Sequence, residues 1–88
     1  MAWTLKFTNT ALKQLEKLDK PIADQITRIL EGRVAKSSNP RAFGKALTGE
    51  LRGYWRYRIG DHRVICELKD RELIILALAI GHRRDIYR

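Results

Sequence analysis

The sequence has a single cysteine, no long apolar segment and no recognisable leader, and these absences limit what the protein can be. Cys66 alone cannot form an intrachain disulfide or a cysteine-based metal site, and its apolar neighbours favour a small buried side chain. The longest apolar run, residues 73–80, is far shorter than the ~20 residues that a membrane-spanning helix needs. No signal peptide is recognisable in the first residues. We therefore expect a cytoplasmic protein that does not associate with membranes.

The motifs of common enzyme classes are absent as well. The chain has no glycine-rich phosphate loop, no carboxylate cluster suited to Mg²⁺, no zinc-ligand spacing and no set of serine, histidine and aspartate. We therefore expect neither a metal nor a cofactor. If the protein cleaves a nucleic acid, the chemistry has to use a nucleophile that the substrate carries. RNA has one, because its 2′-OH can attack the adjacent phosphate, whereas DNA lacks this group.

Acidic residues are few, and the resulting positive charge suggests a class of partner. Eighteen lysines and arginines against ten aspartates and glutamates give a formal net charge of +8. Such a charge on 88 residues is typical of proteins that bind nucleic acid or an acidic protein, and a role in solubility is the alternative. Residues 41–88 carry a net +5 and residues 1–40 a net +3. We expect the ligand to bind to the second half.

Hydrophobic periodicity predicts an α+β fold in a single domain, residues 1–88. Trp3, Leu5 and Phe7 alternate with polar residues, as in an N-terminal strand with one buried face. A two-helix hairpin should follow, with Thr8 or Asn9 capping its first helix and Pro21 in the first turn of its second. The apolar stripes that would pack these helices on a sheet are Ala11, Leu12, Leu15 and Leu18, then Ile22, Ile26, Ile29, Leu30 and Val34.

The second half of the chain is predicted to form strands, because the apolar period changes to two after a loop that ends near Gly49. The run over residues 73–80 lacks polar alternation, so we expect it to be a central strand that is covered on most of both faces. The prediction is a small, mostly antiparallel, twisted sheet of about four strands. Its second-half strands cover residues 51–59, 62–68 and 73–80, joined by turns at Gly60-Asp61 and Lys69-Asp70-Arg71.

One face of the predicted strand 51–59 is basic. Arg52, Tyr54, Arg56 and Arg58 share that face at a spacing of two residues. Guanidinium groups suit bidentate contacts to phosphate, and a tyrosine among them could stack on a base. A solvated outer face is the alternative, although arginines with no acid among them repel one another. We interpret this face as a surface that binds phosphates.

The residues after the last predicted strand combine charge with groups that exchange protons. The apolar run ends near Gly81, which would hold the following side chains at the rim of the sheet. Tyr87 is either a cap on the core or, beside arginines that lower a phenol pKa, a general base. His82 is either a surface residue or a proton carrier. Arg63, directly after the hairpin turn, would be costly to bury without a carboxylate or a ligand phosphate. Together these groups could supply the acid, the base and the positive charge that RNA cleavage needs.

Two stretches resemble a known family. Residues 47–65, with Gly60-Asp61-His62-Arg63 at their turn, and the terminal Gly81-His82-Arg83-Arg84-Asp85-Ile86-Tyr87 closely resemble the RelE branch of the RelE/ParE toxin superfamily. The predicted order of strands and helices agrees with that family over nearly the whole chain. The resemblance implies a RelE-like fold and the toxin of a type II toxin–antitoxin system. It further implies a metal-independent, ribosome-dependent endoribonuclease that cleaves mRNA in the A site and inhibits translation.

The resemblance also implies roles for individual residues. Arg63 matches the arginine that stabilises the scissile phosphate, Arg83 matches a phosphate ligand or proton donor, and Tyr87 matches the general base. His82 is a second candidate for the acid, because arginine holds its proton far above neutral pH. The implied RNA-binding residues are Arg56, Arg58, Arg52, Lys45, His82 and Arg84.

The implied partners are mRNA, the ribosome with its RNA, and a cognate antitoxin. The antitoxin's acidic, partly disordered tail would cover the basic groove in a heteromeric toxin–antitoxin complex. Two alternatives stay open: a ParE-like toxin of the same fold that inhibits DNA gyrase without catalysis, and a non-catalytic RNA-binding or co-repressor module. The ParE branch typically lacks the arginine and tyrosine set, so the presence of Arg63, Arg83 and Tyr87 favours cleavage.

Overall fold

The computed structural model describes residues 3–82. In this part of the chain, two helices pack on one face of a five-stranded sheet of strand order β1-β5-β4-β3-β2. A π-helical turn, Leu30–Val34, extends the second helix, and 3-10 turns cover Pro40–Phe43 and Gly49–Leu51. The elements are β1 Thr4–Phe7, α1 Asn9–Glu16, α2 Lys20–Ile29, β2 Lys45–Ala46, β3 Trp55–Ile59, β4 His62–Lys69 and β5 Ile74–His82.

Of the two capping residues predicted for helix α1, Thr8 and Asn9, Thr8 caps the helix and Asn9 is its first residue. The Thr8 hydroxyl oxygen accepts a hydrogen bond from the Ala11 N–H at 3.1 Å, which satisfies one of the free donors of the first turn. Ala11 is fully buried against the sheet. Leu12, predicted to belong to the apolar stripe, is instead 43% exposed. It lies about 100° around the helix from Ala11 and therefore points away from the core.

Helix α2 also follows its prediction. Pro21 lies in its first turn, where the missing N–H of proline costs no helical hydrogen bond. Ile26, Leu30 and Val34 are buried, spaced four residues apart on one side of the helix and of the π-turn that extends it. This stripe supplies most of the helical side of the core.

The sheet is mostly antiparallel, as predicted, but it has five strands and is mixed. β5 is an interior strand, as expected from its apolar run, although β4 is the middle strand. β5 pairs antiparallel with β4 and parallel with β1. The parallel pair is possible because the helices and the remaining strands provide a long connection between β1 and β5. The fifth strand is the two-residue β2, which pairs with the start of β3 and lies in a region predicted as loop.

The β3–β4 hairpin turns at Gly60-Asp61, as predicted. Ile59 is directly opposite His62, so two residues form the loop, and Gly60 has a φ of +59°, a conformation that favours glycine. β3 is shorter than predicted, however, since it begins at Trp55 rather than at residue 51. The preceding residues form the 3-10 turn and a second turn in which Gly53 has a φ of +99°.

A β-bulge interrupts the pairing of β4 with β5. Ile65 is opposite Ala79 and Cys66 is opposite Ala77, so Leu78 is an extra residue on β5. Side chains from the α1 region satisfy the backbone here: the Thr8 hydroxyl donates to the Leu78 carbonyl at 3.1 Å. The Gln14 side-chain oxygen accepts a hydrogen bond from the Ile80 N–H at 2.6 Å. The bulge is therefore held in place by α1.

The core lies between the helices and one face of the sheet. Its sheet residues include Tyr57, Val64, Cys66, Ala77 and Ile80, all nearly or fully buried. Cys66 is the small buried side chain that the sequence predicted, and burial raises the pKa of its thiol to about 12. Within residues 3–82 no helix is long and apolar enough to span a bilayer. The helices do not cover the second face of the sheet.

Candidate nucleic-acid interface

Strand register aligns basic residues on the sheet face opposite the helices. Arg58 of β3 is directly opposite Arg63 of β4, and Arg63 is directly opposite Gly81 of β5. Two positions along β3, Arg56 is directly opposite Lys45 of β2. Residues directly opposite one another project from the same side of a sheet. Lys45, Arg56, Arg58 and Arg63 thus share one surface, which we call the basic face.

Arg63 is the most enclosed residue of the basic face, with 3% of its surface exposed. One of its guanidinium nitrogens donates to the His62 carbonyl at 3.3 Å. The residue directly opposite Arg63 on β3 is the exposed Arg58. The Cβ atoms of residues in such a pair are only about 5 Å apart. On the other side Gly81 contributes no side chain. An anion bound at the exposed Arg58 would interact favourably with both positive charges.

The basic face continues into an open cleft of about 250 Å³. Its floor is β3, through Arg56 and Arg58, and one wall is the chain just before and within β2. Lys45 adds a further positive charge. The arrangement fits a linear polyanion better than a compact metabolite, since the cations follow a strand instead of converging on one point.

Arg52 was predicted to lie on the same strand face, and this prediction is wrong. It follows the Gly49–Leu51 turn, before β3 begins, and lines a separate open cleft of about 600 Å³ together with Thr48 and Gly53. Gly49 and Gly53 both have positive φ angles, which break the extended backbone that the alternating pattern suggested. Tyr54 likewise precedes the strand.

His82 does not join the basic face within the described residues. It is directly opposite His62, and the two imidazole rings meet edge to face with centroids 5.6 Å apart and an interplanar angle of 77°. Because side chains alternate along a strand, this pair projects on the side of Val64 and Ile80, toward the helices. The structure therefore brings Arg58 and Arg63 together and separates them from the His82 ring.

Arg83, Arg84 and Tyr87 lie outside the described residues, so their assigned roles stay predictions. Within residues 3–82, no group of three or more histidine, cysteine, aspartate or glutamate side chains is arranged to hold a metal ion.

One feature of the cleft was missed by the sequence reasoning: its wall, residues 40–44, was predicted as loop. The Tyr57 hydroxyl donates to the Pro40 carbonyl at 2.8 Å, and Arg41 forms a bidentate ion pair with Asp70 at 2.7 and 3.0 Å. Phe43, within this wall, is 43% exposed. A lone phenylalanine in a segment bounded by proline and glycine was the available sequence signal.

Comparison with known proteins identifies the family. A family model for the ParE toxin of type II toxin–antitoxin systems, parDE, matches residues 5–87. Toxin RelG of Mycobacterium tuberculosis is 33% identical over 88 residues, which cover 100% of this chain and 99% of that protein. The chain belongs to the RelE/ParE family of type II toxins.

Further relatives place this toxin in the RelE branch, as the sequence motifs predicted. A putative RelE-like toxin protein of Escherichia coli is 32% identical over 90 residues, covering 99% of this chain and 92% of that protein. The toxin–antitoxin complex RelBE2 of Mycobacterium tuberculosis contains a chain that superposes with a TM-score of 0.86 at 29% identity. That match covers 97% of this chain and 95% of the other. The predicted RelE-like fold is thus confirmed.

Proposed function

We propose that this RelE-like toxin is an endoribonuclease that cleaves mRNA in the ribosomal A site without a metal ion, and so inhibits translation in the cytoplasm. The observation that carries the proposal is the alignment of Arg58 with the enclosed Arg63, directly opposite Gly81. Arg83 and Tyr87 follow Gly81 by two and six residues in the sequence. A phosphate bound by the two arginines would therefore lie next to Gly81, close in the sequence to Arg83 and Tyr87.

The proposed reaction uses the RNA's own nucleophile. The 2′ oxygen attacks the adjacent phosphorus, and a new P–O2′ bond forms while the P–O5′ bond breaks, leaving a 2′,3′-cyclic phosphate and a 5′-OH. Tyr87 takes the proton of the 2′-OH, and O5′ receives a proton from the acid. Arg58 and Arg63 stabilise the extra negative charge of the transition state. The His82 ring lies against His62 on the helix side of the sheet, which argues against His82 as the group that acts at O5′ and leaves Arg83 as the candidate.

Dependence on the ribosome follows from the weakness of this catalytic set. A tyrosine is a poor base near neutral pH, so the reaction benefits from an mRNA that is already held with its 2′ oxygen in line with the phosphate. The ribosome would provide that geometry, and the basic face would bind the mRNA and ribosomal RNA backbones.

We also propose a cognate antitoxin as a partner. The net charge of +8 fits an acidic polypeptide as well as RNA, and the matched RelBE2 structure is a toxin–antitoxin complex. An acidic tail that covers Arg56, Arg58 and Arg63 would block the site in a heteromeric complex.

Three substitutions test the proposed chemistry: Arg63→Ala, Arg83→Ala and Tyr87→Phe, each induced in cells without antitoxin. Arg28→Ala is the matched control, because Arg28 is an exposed arginine in the last turn of α2, away from the basic face. We expect the three variants to relieve growth arrest while the control arrests growth like the unmodified toxin. Mapping of mRNA 5′ ends after brief induction should show cuts in phase with codons.

The outcomes separate this proposal from its alternatives. Growth arrest that persists in all three variants would contradict the proposed catalytic set. Because the matched family model describes ParE toxins, DNA damage without mRNA cuts would point to gyrase inhibition instead. RNA binding with neither cuts nor DNA damage would point to a non-catalytic RNA-binding or co-repressor module.

A further inference from the structure

Phe43 is a large apolar side chain in an unusual place. It is 43% exposed, and only Leu12 has comparable exposure among the large hydrophobic residues of the part described. Leu12 lies on a helix, whereas Phe43 lines the cleft of the basic face together with Lys45, Arg56 and Arg58. An exposed aromatic ring beside three cations on one cleft calls for a ligand that presents both a flat apolar surface and negative charge.

The chain around Phe43 is held firmly on both sides. On the amino-terminal side, Pro40 is buried and its carbonyl accepts the hydrogen bond from the buried Tyr57 hydroxyl. Arg41 makes two hydrogen bonds to Asp70, in the turn that precedes β5, and its guanidinium lies 5.7 Å from the centroid of the Trp55 ring. Both contacts join the segment to the sheet and reduce the freedom of the residues that follow.

On the carboxyl-terminal side, Gly44 packs directly against β3. A Cβ atom at this position would overlap the carbonyl oxygen of Arg56 and would lie 2.8 Å from Cδ1 of Trp55. Only glycine allows so close an approach of two backbones. Phe43 thus projects from a segment that contacts the rest of the fold at Arg41, two residues before it, and at Gly44, directly after it.

We propose that Phe43 is a stacking platform for a nucleobase of single-stranded RNA, with the adjacent phosphates held by Arg56 and Arg58. The inference rests on the proposed function, since it specifies how the RNA lies on the basic face. Single-stranded nucleic acids are typically bound by a basic groove in which aromatic rings accept successive bases. A ring fixed in advance loses little conformational freedom when a base stacks on it. The same ring adds no charge, so it contributes affinity that salt does not screen.

The test measures binding of a short fluorescent single-stranded RNA to four forms of the toxin. These are the unmodified chain, Phe43→Ala, Phe43→Trp and the control Leu12→Ala, which removes an equally exposed apolar side chain from α1. Phe43→Ala should weaken binding about tenfold, which corresponds to the loss of roughly one stacked base. Phe43→Trp should bind at least as tightly as the unmodified chain, and Leu12→Ala should bind equally well.

Salt dependence and an abasic RNA give the signature of stacking. The slope of log affinity against log salt should be unchanged in Phe43→Ala, whereas Arg56→Ala or Arg58→Ala should lower it by about one unit each. An oligonucleotide with a base removed at the bound position should bind the unmodified toxin about tenfold more weakly and should bind Phe43→Ala with no further loss.

Failure of this inference is distinguishable from failure of the proposed function. If the unmodified toxin binds RNA with a clear salt slope, the arginine variants weaken it, and Phe43→Ala does not, the stacking role is refuted and the basic face stands. If the unmodified toxin binds no free RNA, the stacking inference is refuted, and the mapping of mRNA 5′ ends in cells decides the proposed function separately. If Phe43→Ala leaves RNA binding intact and weakens only antitoxin binding, Phe43 is a protein contact and the inference is again refuted.

Discussion

Gly44→Ala is the most direct test of how the cleft is built. The backbone at Gly44 is extended (φ −145°, ψ −164°), so alanine can adopt the conformation without strain. The obstacle is space: the new methyl group would overlap the Arg56 carbonyl oxygen and would lie 2.8 and 2.9 Å from two atoms of the Trp55 indole. A backbone carbonyl within a strand cannot move aside as a flexible side chain can. The segment 40–44 must therefore shift away from β3.

The size of the effect follows from two opposing terms. Overpacking of this kind costs about 1–3 kcal/mol, and the reduced freedom of the unfolded chain on replacing glycine returns about 0.4–1 kcal/mol. We expect Gly44→Ala to lower the free energy of unfolding by about 1–2 kcal/mol, or to lower Tm by about 5–10 °C for a chain of this size. Gly32→Ala is the matched control, because a Cβ there meets nothing within 4 Å. It should be neutral or stabilising by up to about 1 kcal/mol.

Urea unfolding followed by tryptophan fluorescence measures both variants in the same way, and RNA binding reports on the cleft. Gly44→Ala should also weaken RNA binding under conditions in which it is fully folded, because the wall that carries Phe43 has moved. Equal stability of the two alanine variants would refute the claim that Gly44 is in close contact with β3. A destabilised Gly44→Ala variant with unchanged RNA affinity would refute the link between the wall and the binding surface.

Three further predictions concern the parts that hold the fold together. Thr8→Ala should lower the free energy of unfolding by about 1 kcal/mol or more, because it removes the α1 cap and the hydrogen bond to the Leu78 carbonyl. Thr8→Ser keeps the hydroxyl and should retain most of the stability. An equal loss of stability in both variants would contradict this role of the hydroxyl. Arg41 holds the pKa of Asp70 below its ordinary value of 3.8, mainly because the Arg41 side chain donates hydrogen bonds to the Asp70 carboxylate. The pair therefore stabilises the fold above that pH, by at most about 1 kcal/mol for such an exposed pair, and loses this effect as the pH falls through the depressed pKa. The stability difference between the unmodified chain and Asp70→Asn, measured by urea unfolding from pH 7 to 2, should shrink below about pH 4. A difference that grows in acid would contradict it. Cys66, with a buried thiol whose pKa is raised to about 12, should react with a thiol reagent at neutral pH only as fast as the sheet opens, and rapid stoichiometric labelling without urea would contradict its burial.

Local signals in the sequence predicted the elements whose structure is decided locally. The Gly60-Asp61 turn specified the β3–β4 hairpin, and that hairpin brought Arg58 opposite Arg63 as an antiparallel pair. Thr8 predicted the start of α1 for the same reason, since a cap depends on residues three positions away. The proximity of Arg58 and Arg63 could be predicted because one tight turn determines it.

The features that sequence reasoning missed depend on distant contacts. The parallel pairing of β1 with β5 joins residues about seventy positions apart, and no local pattern encodes it. Arg52 was misplaced because its alternation with Arg56 continued across Gly53, whose positive φ ends the extended backbone. The wall of the cleft was taken for loop because its anchors, Tyr57 and Asp70, lie elsewhere in the chain.

The bulge at Leu78 changes which residues of β5 face the helices. Before it, odd-numbered side chains of β5 such as Ile75 and Ala77 enter the core, and after it the even-numbered Ile80 does so. If side chains alternated regularly through Leu78 with no bulge there, Gly81 would turn toward the helices and His82 would project from the basic face. The sequence does not reveal this bulge, because residues 73–80 are all apolar and each could lie on either face of the sheet. One inserted residue, held by Thr8 and Gln14, thereby decides which face of the sheet each residue at the end of β5 serves.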